Sequence, residues 1–172
     1  MRTKVIAALL LGCLAGCAGY QIGNRSLYPT HIRNVYVPMF ESSSFRRGLG
    51  ERLTEAVAKE IELKTPYKVT GDPGADSVLS GRIVRETKRL LVPTRSDEPR
   101  ELQTDLQVEI RWVDRRGSPI RSVQAVPLPP QLARVGATGD VIPQTGQSIA
   151  TGHQTAIQRL AQQIVSMMEV PW

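Results

Sequence analysis

Basic side chains stand in adjacent pairs along this chain: Arg46-Arg47, Lys88-Arg89 and Arg115-Arg116. Paired cations are residue types that hold phosphate, and Arg46-Arg47 have the best setting for it. Ser42-Ser43-Ser44 precede them and an amphipathic helix is expected to follow. The free N–H groups of a helix start, beside two guanidiniums, suit an anion. Cations are otherwise misplaced there, because the helix dipole is positive at that end. The plain alternative is that both arginines reach solvent or meet Glu41 or Glu51. Lys88-Arg89 adjoin Leu90-Leu91, an amphipathic arm that suits a glycolipid, a barrel wall or a solvated strand end. Arg115-Arg116 fall at a turn tip, where charges are solvated or reach a ligand. His31 and His153 have no cluster of metal-ligating neighbours in the sequence, so neither marks a metal site. His153 follows Gly152 near a helix start and is expected at a cap or the surface. No Gly-x-Ser-x-Gly elbow, His-Glu-x-x-His pair or Gly-rich phosphate loop is present in the sequence. A hydrolase therefore lacks a nucleophile with its base, and no cofactor is expected.

The other chemistry lies at the N-terminus. Met1-Arg2-Thr3-Lys4 is basic, Val5 to Leu11 is apolar, and small residues lead to Leu14-Ala15-Gly16-Cys17. That order is a secretory signal. Its apolar run is about half of the roughly 20 residues that span a bilayer. Ala15 and Gly16 are small enough to enter a protease cleft, and a thiol is what a thioether to a diacylglyceryl group requires. The stretch resembles a bacterial lipobox. That implies removal of residues 1–16, a lipid on Cys17 and acylation of the new amine. Cys13 is the poorer candidate, because bulky Leu11 sits two positions before it. Each buried CH₂ contributes about 0.8 kcal/mol, so several acyl chains hold a protein to a membrane. Ala18, rather than Asp, follows Cys17. By resemblance to lipoproteins of Gram-negative bacteria this implies the outer membrane, with the domain facing the periplasm.

Removing the first 16 of 172 residues leaves 156, enough for one domain with a usable core. Arg2 and Lys4 leave with the signal, which takes the formal charge from +6 to near +4. That excess fits an anionic partner such as lipid phosphates, or a basic surface; an exported chain does not meet nucleic acid. Both cysteines lie in the signal region, so the mature fold has no internal disulfide. The expected organisation is a signal peptide over 1–16, a lipidated tether over 17–34 and one domain over 35–172.

The elements that must position these residues follow from periodicity. Val35 to Phe40 reads as a strand with Val35, Val37 and Met39 on one face, and Pro38 belongs at its end or on an edge. Ser42-Ser43-Ser44 offer helix caps. Phe45, Leu49, Leu53, Val57 and Ile61 then recur every four residues, so a helix is expected from Phe45 to Leu63, stopped by Thr65-Pro66. Tyr67 to Thr70 is a short strand or connector, and Gly71 to Gly74 a turn. Ala75 to Val84 is a strand with Leu79, Gly81 and Ile83 on one face. Glu86 to Pro93 is the outer part of a long hairpin arm, and 94–100 its tip. Leu102 to Val113 alternates most cleanly: Leu102, Thr104, Leu106, Val108, Ile110 and Trp112 face a core, and the residues between face water. Burying its five apolar members contributes roughly 10 kcal/mol at most, which makes it the expected centre of the sheet. Asp114 to Gly117 is a hairpin turn, and Pro119 to Val126 a weaker returning strand near an edge. Residues 127–146 lack periodicity and read as a long loop. A last helix is expected from Gln147 to Glu169, with Ile149, Ala156, Ile157, Leu160, Ala161, Ile164 and Met168 as its stripe. One sheet face needs cover and two helices supply it. The fold class is α+β: a two-layer sandwich whose antiparallel or mixed sheet has four to five strands, with both helices on one face.

The mature opening Cys17-Ala18-Gly19-Tyr20-Gln21, the strand-Pro-helix unit from Val35 through Leu63 with Gly48-Leu49 and Leu53-Thr54 along it, and the meander with its closing helix together resemble the LptE family of lipopolysaccharide-assembly lipoproteins. The resemblance covers most of the mature chain. It implies a non-enzymatic protein that plugs the lumen of the outer-membrane barrel LptD, helps that barrel assemble and assists lipopolysaccharide to the cell surface. Because lipid A carries phosphates, Arg46, Arg47, Lys88, Arg89, Arg115 and Arg116 become candidate contacts to lipopolysaccharide. The alternative is an auxiliary lipoprotein of another envelope lipid-transport or secretion system, since those families share the strand-Pro-helix opening.

Overall fold

The alternation from Leu102 to Trp112 builds the best-covered strand of the molecule. In the computed structural model, which describes residues 27–44, 46–93, 99–120, 133–142 and 146–169, that strand is β5 (Pro99–Asp114). The others are β1 (Asn34–Tyr36), β2 (Glu41–Ser42), β3 (Lys68–Thr70), β4 (Ser77–Pro93) and β6 (Ala133–Val141); the helices are α1 (Leu49–Lys64) and α2 (Ile149–Ser166). The sheet order is β3-β1-β4-β5-β6, with β2 beside β4 farther along. β1 runs parallel to both β3 and β4, and β2 parallel to β4. β4, β5 and β6 pair antiparallel. Thr104, Leu106, Val108, Ile110 and Trp112 are buried beneath the helices. This is the two-layer α+β sandwich expected, with a mixed sheet, and β5 is interior although β4 stands in the middle of the order.

Each helix buries one stripe. Leu49, Leu53, Val57 and Ile61 of α1, and Ala156, Ile157, Leu160, Ala161 and Ile164 of α2, lie in one hydrophobic cluster with the inward residues of the sheet. Ser148 caps α2 by accepting the Thr151 N–H at 3.3 Å. α2 lies so close to β6 that a Cβ placed on Gly139 would come 1.9 Å from the Gly152 carbonyl oxygen. Only glycine fits there.

Several expectations need correction. β1 stops at Tyr36 because Pro38 has no N–H for the ladder. Past it the chain turns. Met39 is 68% exposed and Phe40 is buried instead, its ring lying where Gly81 offers no side chain. The Phe40 N–H donates to Thr54 Oγ1 at 2.9 Å, which ties this turn to α1. α1 begins at Leu49, not Phe45, and its N-cap is Gly48 at φ 75° with no side-chain cap bond. None of Ser42, Ser43 and Ser44 therefore caps it, and Arg46 and Arg47 precede the helix. Of the strand expected over 119–126, the described part makes a bridge between Val113 and Pro119 and donates the Ile120 N–H to the Trp112 carbonyl at 3.2 Å; residues 121–126 lie outside the described residues. The neighbour of β5 is β6, inside the stretch expected to be a loop. Its inward residues include Ala137 and Gly139, small where α2 approaches, so their hydrophobic signal is weak. α2 is shorter at both ends than expected, and His153 is fully buried rather than a cap or surface residue.

The stretch expected as tether contributes to the core: Tyr28 and Ile32 are buried, and Tyr28 meets Tyr67 edge-on at 5.6 Å between centroids. The signal segment, Cys17 and the arm tip at 94–98 lie outside the described residues. Among the described residues no helix is long and apolar enough to cross a membrane.

Candidate functional site

A β-bulge sets the chemistry of the arm. Along β4 the inward residues Ser77, Leu79 and Ile83 alternate normally, but the pairing with β5 slips between Ile83 and Arg85. One extra residue exchanges the two faces of the strand beyond it. Glu86 now pairs with buried Leu106, and Lys88 with buried Thr104, while Arg85, Thr87 and Arg89 take the open face opposite Gln107, Asp105 and Gln103. A carboxylate is thereby turned under the helices.

That carboxylate is met by three side chains, one from α2 and two from the loop before α1. The His153 imidazole of α2 lies with Nε2 2.8 Å from Glu86 Oε1. Ser44 Oγ donates to Glu86 Oε2. Arg46 Nε approaches Oε1 at 3.4 Å. The Glu86 side chain is 13% exposed and His153 0%. Burial pushes the Glu86 carboxyl upward, but the Ser44 hydroxyl, the His153 hydrogen bond and charge, and the Arg46 guanidinium outweigh it and hold the carboxyl below its ordinary value. Ser44 and Ser43 are placed by the sheet: Ser43 donates both its N–H (3.0 Å) and its hydroxyl (2.7 Å) to the Ile83 carbonyl. Ser44 in turn accepts the Arg46 N–H at 3.1 Å.

Outside this cluster an open cavity of about 710 Å³ is lined by Ser43, Ser44, Arg46, Val84, Arg85, Glu86 and Lys88. Arg46 and Lys88 against one carboxylate leave it net positive, and its size falls within the range of ligand clefts. It can bind an anion. It does not assemble a nucleophile: Ser44 and His153 hold different oxygens of Glu86, so the serine has no imidazole to activate it. Among the described residues no group of three or more His, Cys, Asp or Glu could hold a metal ion.

The cavity brings together Arg46 and Lys88 of the residues singled out from sequence. Exposed Arg47 stands next to Arg46, outside the lining residues; Arg89 is on the opposite strand face. Arg115 and Arg116 are far away, at the end of the sheet where Ser77 pairs with Asp114. Nine strand residues separate that pairing from Glu86, roughly 30 Å. There Arg115 donates to the Gly74 carbonyl, and Asp114 Oδ1 accepts the N–H groups of Arg116 and Ser118, each at 2.8 Å. His31 is exposed at the same end. Glu86 and His153 were missed. The available signal was spacing: His153 sits four residues from both Ile149 and Ile157, in the middle of the apolar stripe.

The open face of the sheet is charged in register. Glu41, Arg82, Glu109 and Arg134 stand opposite one another across β2, β4, β5 and β6, a row of alternating sign. Arg82 bonds Glu41 at 2.6 Å and Arg134 bonds Glu109 at 2.7 Å.

Comparison with known proteins agrees with this architecture. A family model described as LptE, lipopolysaccharide-assembly, matches residues 32–168. No curated protein sequence matches. Among solved structures the chain is similar to an uncharacterized lipoprotein B from Nitrosomonas europaea, with TM-score 0.54 and 16% identity, over 86% of this chain and 88% of that one. It is also similar to the PelC dodecamer from Paraburkholderia phytofirmans, with TM-score 0.52 and 13% identity, over 89% and 96%. At such identities the likeness is one of fold.

Proposed function

The chain belongs to the LptE, lipopolysaccharide-assembly, family, and from that premise we propose that it is a non-enzymatic outer-membrane lipoprotein that receives the phosphate groups of lipopolysaccharide at the cavity between Arg46 and Lys88. Family membership supports a role in envelope lipid transport and assembly. The observation that carries the finer reading is the net-positive cavity at the root of the long β4–β5 arm, held open by Glu86 and the two serines. In this reading residues 1–16 direct export, Cys17 carries the lipid, and the folded domain faces the periplasm. The domain sits in the lumen of the barrel LptD as a plug, where the alternating charges of the open sheet face meet a polar wall and helices cover the core.

Affinity isolation of the lipidated chain from detergent-solubilised outer membrane, with mass spectrometry of the co-purifying proteins, tests the partner. LptD is the expected result. Recovery of a different envelope transport or secretion assembly in its place would refute the plug and support the auxiliary-lipoprotein alternative. The ligand is tested separately: Arg46→Ala with Lys88→Ala should weaken lipopolysaccharide binding about ten-fold, the equivalent of ~1.4 kcal/mol. Unchanged affinity removes the cavity from the reading.

A further inference from the structure

At the end of the sheet away from the arm, a second cavity of about 520 Å³ opens between the chain's first described residues and the start of β3. Its lining includes Tyr28, Pro29, Ile32, Arg33, Pro66 and Lys68. Tyr28 and Ile32 are core residues, so its floor is apolar and firm; Arg33 and Lys68 are exposed at its rim. The Lys68 N–H donates to the Arg33 carbonyl at 2.9 Å, which ties together the two backbone segments that carry these cations. No carboxylate is among the lining residues. The acid nearest in the chain's bonding, Asp76, is engaged by the backbone N–H groups of Arg33 and Asn34 at 3.0 and 3.2 Å. Glu169 accepts the Tyr28 hydroxyl at 3.4 Å. Exposed Lys64, Arg115 and Arg116 belong to the same end, by the pairing of Lys68 with Asn34 and of Asp114 with Ser77.

We propose that this basal cavity seats the head group of an anionic phospholipid of the leaflet that carries the anchor, the phosphate between Arg33 and Lys68 and the glycerol on Tyr28, Pro29 and Ile32. Charge complementarity is one argument. Position is the other: ten residues lead from Cys17 to Leu27, and a chain of that length spans at most about 35 Å. The inference rests on the reading of Cys17 as the lipidated residue, which holds this end of the fold within tether reach of the membrane surface. The arm then points away from that leaflet.

The test uses the mature lipidated chain in nanodiscs doped with photoactivatable phosphatidylglycerol or, in parallel, photoactivatable phosphatidylcholine. Cross-links mapped by mass spectrometry should fall on 28–34 and 66–68 with the anionic probe. The yield should drop roughly five-fold with Arg33→Gln and again with Lys68→Gln, the effect of one basic side chain at an anionic surface. Lys59→Gln, on the outer face of α1, should leave it unchanged. Equal yields from the two probes, or yields indifferent to Arg33 and Lys68, would overturn the proposal. The mass of the N-terminal peptide separates the two readings: an unmodified Cys17 with the anionic cross-links intact would refute the anchor and support the cavity.

Discussion

Glu86→Ala isolates the network under the arm. It removes the acceptor of Ser44, the partner of Arg46 and the partner of His153 Nε2; among the described residues His153 Nδ1 has none. A fully buried imidazole would then have both nitrogens unpaired. Leaving a buried polar group unsatisfied costs about 1–3 kcal/mol, and a hydrogen bond to a charged group contributes about 1.5–3. Arg46 is a third exposed and rehydrates, so its share is small. The expected loss at neutral pH is roughly 3 kcal/mol, or a fall in melting temperature of about 6–12 °C for a chain of this size. Acid adds a second signature. The Glu86 carboxyl is held below its ordinary 4.5 in the folded chain, with burial opposing and Ser44, His153 and Arg46 prevailing. A depressed carboxyl contributes stability that is fully present above the unfolded value and lost as pH falls through the folded one. The gap between wild type and Glu86→Ala should therefore narrow as pH falls below about 4.5. Urea unfolding at neutral and acid pH, with the double variant carrying His153→Ala, measures both effects. A loss under about 0.5 kcal/mol, or singles that simply add, would refute the network as a coupled unit.

Three further outcomes follow from the fold. Gly139→Ala should cost more than about 3 kcal/mol, because backbone of α2 and not a movable side chain stands 1.9 Å from the new methyl; thermal unfolding reads it. Gly48→Ala should cost only about 1 kcal/mol, since φ is +75° but nothing lies within 4 Å; the same melts distinguish strain from collision. Arg82→Ala should change stability by less than about 0.5 kcal/mol despite a 2.6 Å pair, as both side chains are mostly solvated, and a chemical denaturation curve checks it.

Strong apolar periods were readable from the residues. Leu49 to Ile61 of α1, Ala156 to Met168 along and just past α2, and Thr104 to Trp112 of β5 buried as their spacing required. Two things were not. β6 was hidden because its inward side chains had to be small where α2 approaches, and hydrophobic patterning scores Gly139 and Ala137 poorly. The site was hidden because its central residue owes its direction to a slip in pairing: regular alternation from Ile83 would send Glu86 to solvent. The cations Arg46 and Lys88 were visible as charges. Their meeting depended on that slip and on Gly48, which holds Arg46 outside the helix.

The extra residue at position 84 also separates two demands on one strand. Below it, odd-numbered side chains answer to the packed interior. Above it, as far as Arg89, even-numbered ones take the inner side. Were Val84 instead paired with Gln107, with no slip, everything beyond would invert: Arg85, Thr87 and Arg89 would be driven toward the helices, and Glu86 with Lys88 expelled. A single amino acid thus works as a phase shifter, letting the arm carry its own inside and outside without rewriting the core beneath it.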